Sequence, residues 1–425
     1  MPPHPPARSR LSFVRSRSIL LLSLLLFPLA CRHIHFPDVP AGYREYAYVT
    51  NGAANTVSVL DLVYLRQDRT LQVGIQPSGV AANPKRNEIY VVNAGTPTTS
   101  GSISVIDAVA NRVAATIPVH KLPYSIDVSA DGTRAYVANS GSNSISVLDL
   151  DSRREIGTAG TGEQPGLVRI SPDQRTLVVT NRGSGSVSIF SATPDATGPA
   201  LTPQLARSPL PHLRAAFTGC PGATDAVILP DSSKAFIACS AGHQVMAISL
   251  AAAPDPAPDS SPTTQSSILL TDHLLALLDV GQTPVQLALK PDGGEIFVSN
   301  FASNSFSEID TNNNQVGGTY PIGSQPVRGI VSGDNGTLWI ANFGADSMNY
   351  WSIDDGQLAG SVHTGHAPDF LVFSADEHLL LAADAQSGDV SVIRTVGNPL
   401  PALFTILPAG PSPNAIAIKA LHAKP

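Results

Sequence analysis

The chain has 425 residues, of which 14% are charged, with 34 glycines, 36 prolines and only 3 methionines; this mixture suits many short strands and turns better than long helices. Four arginines and no acid lie in residues 1–30, so the remainder carries 22 basic against 33 acidic side chains, a net charge of −11. That sign argues against nucleic acid as a partner, because phosphate binding needs a basic surface.

The first 30 residues read as a secretory signal peptide. Arg8, Arg10, Arg15 and Arg17 precede an apolar run over 19–27, nine residues long, whereas a helix needs roughly 20 to span a bilayer. The sequence Pro28-Leu29-Ala30-Cys31 resembles a bacterial lipobox, with Pro28 where leucine is usual. In that reading Cys31 is the lipidation site and the mature N-terminus, 31–45 is a tether, and the membrane is a partner through the lipid anchor. The alternative is a plain secretory signal cut nearby, with Cys31 incidental.

From residue 46 to about 420 the chain is repetitive. Tyr48-Val-Thr-Asn51, Tyr90-Val-Val-Asn93, Tyr136-Val-Ala-Asn139, Leu177-Val-Val-Thr-Asn181, Phe236-Ile-Ala-Cys239, Phe297-Val-Ser-Asn300, Trp339-Ile-Ala-Asn342 and Leu380-Leu-Ala-Ala-Asp384 align on their last residue. Their spacings are 42, 46, 42, 58, 61, 42 and 42, a period of 42 broken by a short insertion at 95–100 and two longer ones at about 191–218 and 251–271. Most copies are preceded by a glycine and, three residues on, a proline, as in Gly74-x-x-Pro77, Gly162-x-x-Pro165, Gly281-x-x-Pro284, Gly323-x-x-Pro326 and Gly365-x-x-Pro368, with variants at Pro123, Thr224 and Pro413. Each unit therefore predicts four strands: one led by the proline, the Tyr-Val-Thr-Asn strand, a strand such as 144–148, and a weaker outer strand such as 112–117.

Four strands per roughly 40 residues describes the blade of a β-propeller, an all-β fold. Eight blades are counted, with seven as the alternative if the long intervals are irregular. The chain opens on the second strand of a blade and finishes on a Pro-led strand over 413–418, so pairing the two ends would close the ring and remove exposed sheet edges. Residues 421–425 are left as a tail.

The cysteines at 220 and 239 are an even pair in an exported chain. Cys239 stands where other repeats carry Asn or Asp, and Cys220 precedes the strand expected to pair with it across the turn at 230–233. They either form a disulfide, which needs a Cα separation of about 4.4–6.8 Å, or remain as two buried thiols.

The units Tyr48-Val-Thr-Asn51 with Thr56-Val-Ser-Val-Leu-Asp61, and Pro123-Tyr-Ser-Ile-Asp-Val-Ser-Ala-Asp-Gly132 leading to Tyr136-Val-Ala-Asn139, resemble the YVTN-repeat β-propellers, also described as YncE-like or surface-layer-type. The resemblance covers about 46–420 and implies an exported bacterial or archaeal propeller, usually of seven blades. Members are mostly without assigned activity; relatives by fold include lactonases and propeller parts of redox enzymes, and some members are linked to DNA binding.

Chemistry is harder to read. Asp127, Arg169 and Arg328 are polar residues within otherwise apolar Pro-led strands and are the candidate channel ligand-binding groups, suited to an anion, or else salt bridges between neighbouring blades. His120, three residues before Pro123, and His366, two before Pro368 with His363 nearby, are expected at the channel rim and are the candidate metal ligands, although they come from distant blades. The repeated Asn residues are expected to satisfy backbone groups at strand ends. No covalent haem motif, nucleophile elbow, phosphate-cradling loop or His-Glu-x-x-His occurs, so no catalytic residues and no cofactor are named. The resulting expectation is an exported, lipid-anchored, non-enzymatic binding or scaffold propeller in the periplasm or at the cell surface, with a protein or small-molecule partner. The alternative is a lactonase-like hydrolase with its site at the central channel.

Overall fold

The computed structural model describes residues 40–192, 210–251, 271–396 and 401–421. The signal peptide, Cys31, most of the tether and most of both long insertions lie outside the described residues. From Arg44 to Leu421 the described chain forms 32 strands, grouped in eight antiparallel sheets of four. Each sheet is one blade, and the count of eight agrees with the repeat.

Blade 1 is built from both ends of this region. Its innermost strand is Pro413–Leu421, hydrogen-bonded to Arg44–Asn51, then Thr56–Asp61 and Arg66–Gln72. Eight residue pairs, from Arg44 opposite Leu421 to Asn51 opposite Pro413, hold the closure. Blades 2 to 8 follow in order, with innermost strands Pro77–Ala82, Pro123–Val128, Pro165–Ile170, Ala223–Ile228, Pro284–Leu289, Pro326–Val331 and Pro368–Phe373. Proline opens seven of the eight innermost strands, a position where its missing N–H removes no interior ladder bond.

The core lies between blades rather than within any one of them. Tyr90, Val92, Ile103 and Val105 of blade 2 pack with Ile126, Ala135, Val137 and Leu148 of blade 3; Phe297 and Phe306 of blade 6 pack with Leu338, Ile340 and Trp351 of blade 7. The second and third strands of a blade are covered on both faces, so Tyr136-Val-Ala-Asn139 is buried throughout, while an outer strand such as Arg66–Gln72 is largely exposed. This is why the sequence signal is strongest in the middle strands.

The repeated residues have local causes. The Asp that ends each Ser-Val-Leu-Asp strand folds the next turn: Asp61 Oδ1 accepts the N–H of Val63 and Tyr64 at 3.0 and 3.1 Å, and Asp107 and Asp149 repeat the arrangement. The strand-end Asn is fully buried, but its side chain serves other side chains rather than the backbone groups expected. Nδ2 of Asn51, Asn93, Asn139, Asn181 and Asn300 donates to Ser58, Ser104, Ser146, Ser188 and Ser307 at 2.8–3.0 Å. The lead glycine lies flat on that Asn: a Cβ at Gly74 would fall 2.6 Å from Asn93 Cγ, and one at Gly281 2.6 Å from Asn300 Cγ.

Blade 5 replaces this pair. Cys220 takes the place of the lead glycine, Cys239 that of the Asn, and the two form a disulfide with Cα atoms 4.7 Å apart. Both are fully buried. Ala223, opening the innermost strand, sits opposite Cys239, so the bridge joins the entry of the blade to the end of its second strand.

Candidate functional site

At the face formed by the turns between second and third strands, the channel opens into a cavity of about 640 Å³. All eight innermost strands contribute to its wall, because the first residues after each leading proline point inward. Arg169 of blade 4 and Arg328 of blade 7 both line it, as the sequence suggested, joined by Asp225 of blade 5, Gln286 of blade 6, and Asp369 and Phe370 of blade 8. At the rim stand Arg182 and Phe301, each the residue after a strand-end Asn, and Tyr124 of blade 3.

The arginines are held in distinct ways. Arg328 lies over the Phe370 ring, Cζ to centroid 3.9 Å. Burial pushes its pKa below the ordinary guanidinium value, the carboxylates of Asp225 and Asp369 oppose that shift, and the like charge of Arg169 adds to it. Among the described residues neither guanidinium has a carboxylate within 4.0 Å, so they are not the interblade salt bridges that formed the alternative. Across the rim, Arg182 lies over the Tyr124 ring at 5.2 Å.

Asp127 differs from its two sequence companions. It does not line the cavity. Its Oδ2 accepts the N–H of Ile170 in blade 4 at 2.9 Å and its Oδ1 accepts the N–H of Val128 at 3.0 Å. Burial raises its pKa, opposed by nearby Arg169 and these two N–H groups, so it ties blade 3 to blade 4 beneath the cavity. Asp369, by contrast, faces the cavity with its pKa raised by burial and lowered only by Arg328.

The histidines are not brought together. His120 belongs to the ten-residue outermost strand of blade 2, Arg112–Lys121, and its Nε2 lies 3.4 Å from Glu155 on the outermost strand of blade 3. The expectation of a channel-rim position fails because this outer strand runs on to within two residues of Pro123. His363 ends the outermost strand of blade 7, and His366 sits on the connector into blade 8, its Nδ1 2.7 Å from Asp346 Oδ1. Among the described residues no group of three or more His, Cys, Asp or Glu side chains is placed to hold a metal ion.

Sequence reading missed Asp225, Asp369 and the aromatic residues. Their signal is register: most cavity-lining residues stand one or two residues after the leading residue of an innermost strand, with Val80 and Ile126 three and Arg169 four after it, and Asp225 shares that register although alanine replaces proline at the head of its strand.

Residues 29–211 match the family described as "Lactonase, 7-bladed beta-propeller", whereas this ring has eight blades. "Uncharacterized protein YncE" of Salmonella typhi, and that of Salmonella typhimurium, are each 37% identical over 100 residues, which is 23% of this chain. The match spans 26% of the length of these relatives. Among solved structures, dihydro-heme d1 dehydrogenase NirN in complex with DHE aligns over 88% of this chain and 74% of its own at 14% identity and a TM-score of 0.67. A putative 6-phosphogluconolactonase from Bacteroides fragilis aligns over 90% and 99% at 15% identity and a TM-score of 0.56. At such identities the likeness is one of fold.

Proposed function

We propose that this chain, a YncE-like β-propeller, is an exported binding protein that takes a small organic anion at the mouth of its central channel. The observation that carries this reading is the pair of guanidiniums, Arg169 and Arg328, facing one cavity without a carboxylate in contact, with Phe370 supplying a flat apolar surface beneath Arg328. Asp225 and Asp369 share the cavity but touch neither guanidinium, so both arginines can pair with a ligand that brings its own negative charge. The lipid anchor at Cys31 belongs to the same proposal: it would hold the ring at a membrane surface facing the periplasm or exterior, with the binding face free to meet solutes or a partner protein.

A screen of organic acids by ligand-induced thermal stabilisation tests the binding. Acids that raise the melting temperature of the wild type should lose the effect in Arg328→Met and in Arg169→Met, while neutral analogues do nothing. Stabilisation that survives both substitutions would move the site elsewhere. Conversion of Cys31 to Ala should shift the protein from the membrane to the soluble fraction.

A second reading, lactonase-like hydrolysis, draws on the family match over 29–211 and on Asp369, a carboxyl of raised pKa beside Arg328. Such a group is suited to proton transfer while an arginine stabilises charge developing on a carbonyl oxygen. Lactone opening followed by NMR, abolished in Asp369→Asn, would establish it; the absence of turnover over a range of sugar and alkyl lactones would leave the binding reading.

A further inference from the structure

Around the channel the innermost strands stand side by side, and at three junctions a side chain of one blade accepts a backbone N–H of the next. Ser125 Oγ receives Val168 N–H at 3.1 Å, Asp225 Oδ2 receives Leu287 N–H at 2.9 Å, and Gln286 Oε1 receives Gly329 N–H at 2.7 Å. The register is constant: the acceptor stands two residues after the head of its strand and the donor three after the head of the next. The other five acceptor positions hold Leu167, Arg328, Phe370, Ala415 and Gly79, whose side chains have no acceptor to offer; of these, Ala415 and Gly79 stand in blades 1 and 2. The donors opposite them are Val80 and Ile126. Of the eight residues at the donor position, these two alone line the cavity.

We infer that the N–H groups of Val80 and Ile126 form the seat for a carboxylate of the bound ligand, and that Gly79 and Ala415 are the residues that keep the seat open. The inference rests on the reading of the channel as an anion site. A carboxylate has two acceptor oxygens and can take both N–H groups in place of the missing side-chain acceptors. Arg169 on blade 4 lies to one side of the seat, while the far wall carries Val285, Phe301, Val327 and Phe370 from blades 6 to 8 beside the polar Gln286, Arg328 and Asp369. The four apolar side chains there fit a carboxylate bearing an apolar body, directed from blades 2 and 3 toward blades 6 to 8. The cavity, about 640 Å³, is within the usual range of about 300–1,000 Å³ for small-molecule sites.

The test fills the seat from the protein side. Ala415→Gln supplies the acceptor that Gln286 provides in blade 6, and it starts from a residue that already has a Cβ. Gly79→Ser does the same at the other junction, where a Cβ would lie 3.1 Å from Tyr124 O. Full-length wild type and both variants are titrated calorimetrically with 3-phenylpropanoate and with neutral 3-phenylpropanamide. The expected result is at least tenfold tighter binding of the acid by the wild type and at least tenfold weakening in each variant, with melting temperatures unchanged or raised. Retained affinity in both variants, with loss in Arg169→Met, would overturn the seat and leave the anion site standing. Equal binding of acid and amide by the wild type, or binding of neither, would overturn both.

Discussion

Replacing Cys220 and Cys239 together with serine is expected to destabilise the ring by about 3 kcal/mol, since the bridge closes a loop of sequence separation 19 and loop-closure entropy of that length is worth roughly this amount at 25 °C. The structure makes a finer statement. Blade 5 differs from its neighbours at three linked positions: Cys220 for the lead glycine, Cys239 for the Asn, and Met246 for the serine that accepts from that Asn elsewhere. Reverting only the cysteines, as Cys220→Gly with Cys239→Asn, would bury an amide beside a thioether and add about 1–3 kcal/mol of unpaired polar burial. Adding Met246→Ser should recover most of that loss by restoring the Asn–Ser hydrogen bond. Urea denaturation, followed by the fluorescence of Trp339 and Trp351 and by circular dichroism, gives the four midpoints. If the triple variant is no more stable than the double reversion, the bridge is not a substitute for the glycine–asparagine contact. If the serine pair unfolds at the wild-type midpoint, the loop-entropy argument fails.

Blade 8 offers a pH test, because Asp384 stands where other blades carry Asn, is fully buried, and has its pKa pushed up to about 8 by burial with Asp389 beside it. Its folded pKa exceeds the unfolded one, so its contribution is complete below about pH 4 and is lost as pH rises toward 8; Asp384→Asn should flatten this slope and make the protein more stable than wild type at pH 8–9 by about 1–3 kcal/mol, a result that equal denaturation midpoints of the two proteins would refute. Gly74→Ala forces a Cβ to 2.6 Å from Asn93 Cγ and should cost about 1–3 kcal/mol as overpacking; a midpoint unchanged in urea would show that the connector yields freely. Asp127→Ala removes the acceptor for Ile170 N–H and should lower stability by about 1–3 kcal/mol with ligand affinity little changed, whereas Arg328→Met should do the reverse. Loss of binding without loss of stability in Asp127→Ala would return Asp127 to the ligand site.

The sequence by itself determined the blade and the closure of the ring and favoured eight blades over seven, a count that the eight four-stranded sheets decide. Those features repeat, and a repeat reports on itself: the spacing of 42, the buried Tyr-Val-Thr-Asn strand and the unmatched strands at either end each constrain the same solution. The bridge was half legible, because Cys239 sits in register with Asn, while the counterpart role of Cys220 rests on the close contact of glycine with Asn, which only packing displays. Function was less visible for a physical reason. The channel wall is two or three residues from each of eight strands scattered over more than 300 positions, and equivalent register positions do unlike work: Arg169 faces the cavity while Asp127, at the same place in its strand, turns to hold the next blade. His120 shows the converse, close in sequence to an innermost strand and on the outside of the ring in space. Which polar side chain meets a ligand and which meets a backbone N–H depends on what the adjacent blade presents, and that is decided by the tertiary structure alone.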